Sequence, residues 1–249
     1  MSGHSKWSTI KRKKGATDAK RSKIFTKLIK EITVAARNGD DETNNPNLRS
    51  AVQNAKAANM PSTTIERAVR RGSGAEPGVI YEEGLFEGYG PAGVAVIVET
   101  LTDNRNRTVS EVRHIFTKYN GNLAEKGAVA WMFEQKGVIE VEKSTIDEED
   151  LMLAVMDAGA EDIHDGDEVH EIVAQISDFE AVKQALDSSG ITCSQASLAW
   201  IPKNMLEVQS SEAEQILRLL EAMEDLDDVQ KVFSNFDIPV EELQKLMAS

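Results

Sequence analysis

The side chains best suited to chemistry in this chain are basic and lie at its start. Lysine or arginine fills five of the nine positions from 6 to 14. Such side chains attract phosphate groups, and an indole can stack on a nucleobase. The candidate nucleic-acid contacts of this N-terminal arm (residues 1–16) are His4, Lys6, Trp7, Lys11, Arg12, Lys13 and Lys14. Trp7 has a second interpretation, as an apolar plug that docks the arm onto its own domain.

Charge is divided unevenly along the chain. The first thirty residues hold ten lysines or arginines and one acid, a net charge of +9, whereas the whole chain of 249 residues carries -14. Residues 81–249 hold 12 bases and 35 acids. This division predicts a basic nucleic-acid-binding module joined to an acidic body that discourages binding elsewhere. The alternative is a single solvated basic face on a helical domain.

Helical periodicity begins directly after the arm, which itself shows no period and is expected to be flexible. A helix is predicted from Thr17, its cap, to Asn38, with Gly39 ending it. Its apolar stripe is Ile24, Phe25, Leu28, Ile29 and Ile32. Its candidate nucleic-acid contacts are Lys20, Arg21, Lys23, Lys27 and Lys30. The lysine row is interpreted either as a continuation of the arm or as a solvated face.

Two shorter helices complete a predicted three-helix unit. Asn45 and Pro46 have the residue types of a helix cap and first position. Pro61 ends this second helix, and Thr63 with Glu66 is a candidate capping box for the third. The third helix supplies two further candidate phosphate contacts, Arg70 and Arg71. Residues 72–78, GSGAEPG, have the composition of a flexible linker.

The rest of the chain alternates between strand and helix patterns. Residues 94–98 and 129–133 are typical of buried strands, and residues 138–201 follow a β-α-β-β-α-β order if 160–163 also pairs. We therefore predict an α+β multidomain protein in which one ferredoxin-like sandwich is inserted into another. The predicted domains are residues 1–78, a discontinuous domain of 79–134 plus 204–249, and the insert 135–203.

Other candidate sites are weaker. Arg105 and Arg107 lie at a strand-to-helix corner, where they could contact phosphate or pair with Asp103 and Glu111. Residues His164, Asp165, Asp167 and His170 form the only candidate metal cluster, and acid-rich turns are common enough that no metal site is predicted. Cys193 is interpreted as a small core residue. Since no nucleotide-binding or catalytic motif occurs, we predict no catalytic residue, metal or cofactor.

Composition also bears on location. No run approaches the roughly 18 apolar residues of a membrane helix, and the basic start lacks the apolar core of a secretory signal. A single cysteine excludes an internal disulfide. These features favour a cytoplasmic protein without a membrane partner.

Several motifs resemble those of one known family. They are GHSKW at 3–7, KIFTKLIKEI at 23–32, NMPSTTIERAVRRG at 59–72, EGYGPAGVAVIVETLTDNRNRTVSEVRH at 87–114 and DAGAEDI at 157–163. In this order they closely resemble the YebC/PmpR family, over essentially the whole chain. The resemblance implies a helical domain and two α/β domains, one interrupted by the other. It also implies nucleic-acid contacts at Lys6, Lys11, Arg12, Lys13, Lys14, Lys20 and Arg21.

The same resemblance implies a non-enzymatic function. Many family members are described as probable DNA-binding transcriptional regulators, and others as ribosome-associated translation factors that assist polyproline synthesis. We therefore expect a regulator of gene expression that binds DNA, or alternatively ribosomal RNA, with a possible protein partner on the acidic domains and a monomer favoured. The competing classes are an enzyme that uses a cleft between the acidic domains and a pure protein-interaction scaffold.

Overall fold

The computed structural model describes residues 18–166 and 168–239, with the side chains of residues 18–20 and 210 excepted. Its α-helices are α1 (Asp18–Ala35), α2 (Pro46–Ala57), α3 (Ser62–Gly72), α4 (Arg105–Lys118), α5 (Glu148–Val155), α6 (Phe179–Ser188) and α7 (Ser210–Glu224). Its strands are β1 (Glu82–Tyr89), β2 (Ala95–Thr102), β3 (Asn122–Leu123), β4 (Phe133–Glu142), β5 (Ala160–Asp165), β6 (Val169–Ala174), β7 (Cys193–Pro202), β8 (Leu206–Glu207), β9 (Val229–Ser234) and β10 (Phe236–Asp237).

Helices α1 to α3 pack around one small core. Ile32, Leu48 and Val52 are fully buried in it. The predicted cap of α2 is confirmed, because the Asn45 side chain accepts a hydrogen bond from the amide of Leu48 at 3.1 Å. The Asn45 amide group also donates to the carbonyls of Ala35 and Gly39, both at 2.8 Å. This one side chain therefore ties the end of α1 to the start of α2.

Close packing of α3 on α1 depends on Gly72, the last residue of α3. A Cβ there would lie 2.7 Å from the Cβ of Ala36 and closer still to the carbonyl oxygen of Thr33. Gly72→Ala gains little helix propensity, because residue 72 is the last of the helix and not an interior position, whereas overpacking costs about 1–3 kcal/mol. We expect a net loss of roughly 1–2 kcal/mol in urea unfolding, whereas Ser73→Ala should be neutral. Equal unfolding midpoints for the two variants would contradict this packing argument.

One α/β unit combines two separated stretches of the chain. Its sheet has the order β3-β1-β2-β9, with β1 antiparallel to β2 and β2 antiparallel to β9. Strands β8 and β10 form a separate parallel pair. The buried core joins Phe86 and Phe116 of the first stretch to Ile216, Leu219 and Phe236 of the second. This unit and the helical domain belong to one compact part of the molecule, residues 18–133 with 202–239.

The other compact part is Glu134–Ile201. Its four-stranded sheet has the order β5-β6-β4-β7, and strand β6 is antiparallel to both β4 and β5. This is the strand order of a ferredoxin-like β-α-β-β-α-β unit. Ile139, Leu151 and Leu186 are fully buried between the sheet and helices α5 and α6. The α+β class predicted from the sequence is confirmed.

Three local predictions were wrong. Ile24, placed in the apolar stripe of α1, is 47% exposed. Thr63 does not cap α3, because the helix begins one residue earlier, at Ser62, with Pro61 in the capping position. The run 129–133 is not a strand: residues 130–132 form a 3₁₀ turn, and only Phe133 begins β4. The predicted cap Thr17 lies outside the described residues.

Candidate nucleic-acid interface

The arm, which carries seven of the predicted contacts, lies outside the described residues. This applies to His4, Lys6, Trp7, Lys11, Arg12, Lys13 and Lys14, and to the side chain of Lys20. Their assignment as nucleic-acid contacts stays a prediction. The structure describes the basic residues that follow the arm, beginning with Arg21.

Two lysines of α1 contact the end of a distant helix. The ammonium of Lys23 lies 2.9 Å from a carboxylate oxygen of Asp225 and 3.2 Å from its carbonyl oxygen. The ammonium of Lys27 donates to the carbonyl oxygen of Glu224 at 2.7 Å. Helix α7 ends at Glu224 and has no basic residue in its last turn. Cations stabilise the partial negative charge at a helix C-terminus. Lys23 and Lys27 therefore supply the positive charge that the last turn of α7 lacks.

Lys30 is buried and is not available to a phosphate. It is 6% exposed, and its ammonium lies 2.7 Å from the Oδ1 atom of Asp228. The same ammonium donates to the carbonyl oxygen of Asp227 at 2.8 Å. A nucleic-acid contact would require breaking this buried pair, so we remove Lys30 from the predicted contacts. The row formed by Lys23, Lys27 and Lys30 instead docks α1 onto the α/β unit.

Asp228 is the centre of this docking contact. Its Oδ2 atom accepts hydrogen bonds from Arg107 at 2.6 Å, from Thr108 at 2.8 Å and from Thr102 at 3.1 Å. Burial alone would raise the pKa of this carboxyl, but hydrogen bonds from Arg107, Lys30 and Thr108 lower the pKa to about 2. Asp228 therefore stays ionised and joins α1, the end of β2 and the start of α4.

The corner between β2 and α4 is built around the same carboxylate. The Asn104 side chain caps α4 by accepting from the amide of Arg107 at 3.1 Å. The Arg107 guanidinium lies 2.7 Å from Asp103, and its hydrogen bonds to Asp228 and Asp103 raise the pKa of Arg107. Arg107 is interpreted from the sequence either as a phosphate contact or as the partner of nearby acids. In the structure it forms ion pairs, with Asp103 as expected and with Asp228 in addition. Arg105 is exposed and remains a candidate phosphate contact.

The lowered pKa of Asp228 predicts an acid-dependent loss of stability. Its folded value of about 2 lies below its ordinary 3.8. The stabilisation is therefore fully present above pH ~4 and is lost as the pH falls towards ~2, a change of about 2 kcal/mol. We expect the gap in unfolding free energy between wild type and Asp228→Asn, measured in urea, to narrow by this amount from pH 5 to pH 2. A gap independent of pH would contradict the ionised pair.

Three further predicted contacts remain on the surface. The guanidinium of Arg21 lies 5.4 Å from the ring centre of Phe25, and the side chain is exposed. Arg70 is 53% exposed and pairs with Glu76 at 2.9 Å, while Arg71 is exposed. Exposed ion pairs contribute little stability, so the pairing of Arg70 does not prevent it from meeting a phosphate. Arg21, Arg70 and Arg71 therefore remain candidate phosphate contacts in addition to those of the arm.

The weaker chemical candidates show no catalytic arrangement in the part of the chain that the structure describes. Burial raises the pKa of the Cys193 thiol to about 11, which disfavours the reactive thiolate. His170 is buried, with its Nδ1 atom 3.1 Å from Asp165. Asp167 lies outside the described residues. Within residues 18–166 and 168–239, no three His, Cys, Asp or Glu side chains converge on a metal position. None of the described helices combines the length and hydropathy needed to cross a membrane.

Sequence reasoning missed Asp228 as the partner of the lysine row. The residue directly precedes β9 and lies 198 positions from Lys30. Two sequence signals point towards Asp228. An acidic pair at 227–228 directly precedes the buried strand β9, and α7 ends without a basic residue in its last turn. Neither signal specifies which helix supplies the positive charge.

Comparison with known proteins gives matches over nearly the whole chain. Residues 5–75 match the family model for the TACO1/YebC protein N-terminal domain, and residues 81–236 match that for the TACO1/YebC second and third domain. A "Probable transcriptional regulatory protein" of Desulfosudis oleivorans is 55% identical, over 94% of this chain and 96% of that protein. A protein of the same description from Desulfotalea psychrophila is 54% identical, over 99% of each chain. A crystal structure of a conserved hypothetical protein from Aquifex aeolicus has a TM-score of 0.84 and 46% identity, covering 89% of this chain and 92% of that one.

Proposed function

We propose a function from one premise: the chain belongs to the TACO1/YebC family. We infer that it is a non-enzymatic, cytoplasmic regulator of gene expression that binds DNA and acts on transcription. The observation that carries this proposal is the charge of +9 on the first thirty residues of a chain whose net charge is -14. The name given to its relatives, "Probable transcriptional regulatory protein", supports the choice of transcription.

The acidic charge of residues 134–201 supports an interface that is confined to the basic residues elsewhere in the chain. Residues 134–201 hold 17 acids and 3 bases, a net charge of -14, so the remaining residues hold 25 of each. An acidic domain repels a polyanion and leaves the basic arm as the favoured contact. In this proposal the interface consists of the arm together with Arg21, Arg70 and Arg71, without Lys27 and Lys30. Lys23 stays a candidate, because its ion pair with Asp225 is exposed, as that of Arg70 is.

A second candidate target is RNA, with the chain acting as a ribosome-associated translation factor. One observation favours it. Lys27 and Lys30 of α1 are occupied by intramolecular contacts with residues 224–228, so α1 does not present a continuous row of lysines to a DNA groove. Binding through a short basic arm suits a crevice in folded RNA as well as the surface of a duplex.

Salt dependence of binding tests the proposal. If about six phosphates are neutralised, the plot of log affinity against log salt concentration should have a slope near -5 for duplex DNA. We expect tighter binding to promoter duplex than to a structured RNA of equal length. Tighter binding to the RNA, with a similar dependence on salt, would transfer the proposal to translation. The absence of binding to either probe at low salt would contradict it.

A further inference from the structure

The loop between β3 and β4, residues 124–132, is organised by a buried carboxylate. Glu87 of β1 is 2% exposed. Its Oε1 atom accepts from the amide of Gly127 at 2.6 Å, and its Oε2 atom accepts from the amides of Val129 and Ala130, both at 2.8 Å. Burial would raise the pKa of Glu87, but these three amides lower it below its ordinary value. The carboxylate thus holds the loop as an ionised acceptor.

Further contacts fix the same loop from both sides. The hydroxyl of Tyr89 donates to the carbonyl oxygen of Ala128 at 3.0 Å. The backbone amide of Lys203 donates a hydrogen bond to the carbonyl oxygen of Met132 at 2.9 Å. The ammonium of Lys203 donates to the carbonyl oxygen of Trp131 at 3.1 Å. A loop of nine residues is therefore held in one conformation before any ligand arrives.

What this loop presents to solvent is the ring of Trp131. The side chain is 65% exposed, whereas tryptophan is usually largely buried. Its ring nitrogen donates to the carbonyl oxygen of Ala128 at 3.0 Å, so the polar edge is satisfied within the loop. The exposed remainder of the indole is apolar. Because the loop is already ordered, a ligand that covers this ring would pay little of the usual entropy of ordering.

The charges beside Trp131 indicate the chemistry of that ligand. Lys126 is exposed in the same loop, and Lys203 is exposed with its ammonium 3.1 Å from the carbonyl oxygen of Trp131. Glu125 is the one acid of the loop sequence, and Glu134 is exposed two residues after the loop, whereas Glu87 is buried. An exposed ring with one lysine five residues before it and a second lysine bound to its backbone matches a nucleobase between its flanking phosphates.

We propose that Trp131 is a stacking platform for an unpaired nucleobase, with Lys126 and Lys203 contacting the adjacent phosphates. The inference rests on the proposed nucleic-acid-binding function and extends it from the arm to a second contact. Duplex bases are already stacked on each other, so the platform selects single-stranded segments. Such segments occur in RNA and in melted DNA, and the chemistry of the unpaired base is common to both.

The test compares single-stranded with duplex probes on the full chain. The probes are a 12-nucleotide oligo(dT), the corresponding oligo(U) and a 12-base-pair DNA duplex. We expect Trp131→Ala to weaken binding of single strands about 5- to 150-fold, the fold-change that corresponds to about 1–3 kcal/mol per stacked base. Duplex binding should be unchanged, because paired bases that are already stacked on each other do not reach the platform. Trp131→Phe should retain most of the single-strand affinity.

Leu153→Ala is the matched control, because Leu153 of α5 is another exposed apolar side chain, also at 76%, and belongs to the compact part 134–201 rather than to the one that holds this loop. It should bind every probe as the wild type does. If Trp131→Ala lost affinity for oligo(U) alone, the platform would be supported and its ligand would be RNA. If it lost affinity for oligo(dT) alone, the ligand would be single-stranded DNA. Unchanged single-strand affinity in Trp131→Ala, or an equal loss on the duplex, would overturn the platform while leaving the proposed function standing. Failure of the wild type to bind any probe would overturn both.

Discussion

Asp228→Ala should lower the free energy of unfolding by about 3–5 kcal/mol, because it leaves the buried ammonium of Lys30 without its counter-ion. The carboxylate lies 2.7 Å from Lys30 and 2.6 Å from Arg107, and Asp228 is 3% exposed. Removing one partner of a buried pair costs more than the pair itself contributes, since the remaining charge stays desolvated. Urea unfolding at neutral pH measures the loss.

The adjacent acid provides the matched control for this substitution. Asp227 is exposed, and only its backbone oxygen is seen to contact Lys30. Asp227→Ala should therefore stay within about 0.5 kcal/mol of wild type. Lys30→Met combined with Asp228→Leu removes both charges, and it should cost less than the two single substitutions added together. If Asp228→Ala unfolded at the same urea concentration as Asp227→Ala, the docking role of Asp228 would be wrong.

Substituting Lys11, Arg12, Lys13 and Lys14 together with alanine should reduce the affinity for duplex DNA roughly 10²–10³-fold at low salt. Each phosphate contact contributes about 0.9 to the log–log salt slope. The slope should therefore become shallower by about 3 to 4. Fluorescence anisotropy with a labelled duplex, measured across a salt series, gives both values. Urea unfolding of the variant checks that a loss of affinity does not come from a loss of stability.

An equal change of net charge elsewhere serves as the control for this variant. Lys56, Arg113, Lys118 and Arg218 are exposed bases outside the arm. Their joint replacement by alanine should leave the salt slope within about one unit of wild type, because distant charges act only through screened, long-range attraction. If both quadruple variants lost the same affinity, binding would depend on net charge and the arm would have no special role.

Much of the fold follows from local signals in the sequence. Asn45 before Pro46 caps α2, as its residue type predicts. The period of the apolar residues also places Ile32 and Leu48 in the core. These features could be predicted because each depends on neighbours within a few positions.

Features set by distant partners could not be predicted in this way. Periodicity shows that Lys23, Lys27 and Lys30 share a face of α1, but it cannot show that the end of α7 lies against that face. The error at residues 129–133 has a similar cause. The amides of Val129 and Ala130, which a strand would pair with another strand, donate to the Glu87 side chain instead. A buried acid from β1 thus overrides the local strand propensity.

The central claim is that the basic arm brings this protein to nucleic acid. Its most direct test is crosslinking in cells, followed by sequencing of both bound DNA and bound RNA, for wild type and for the variant with residues 11–14 changed to alanine. We expect wild type to recover defined DNA sites and the variant to recover far fewer of them. Equal recovery of the same nucleic acids by the two proteins, or recovery of neither DNA nor RNA by wild type, would contradict the claim.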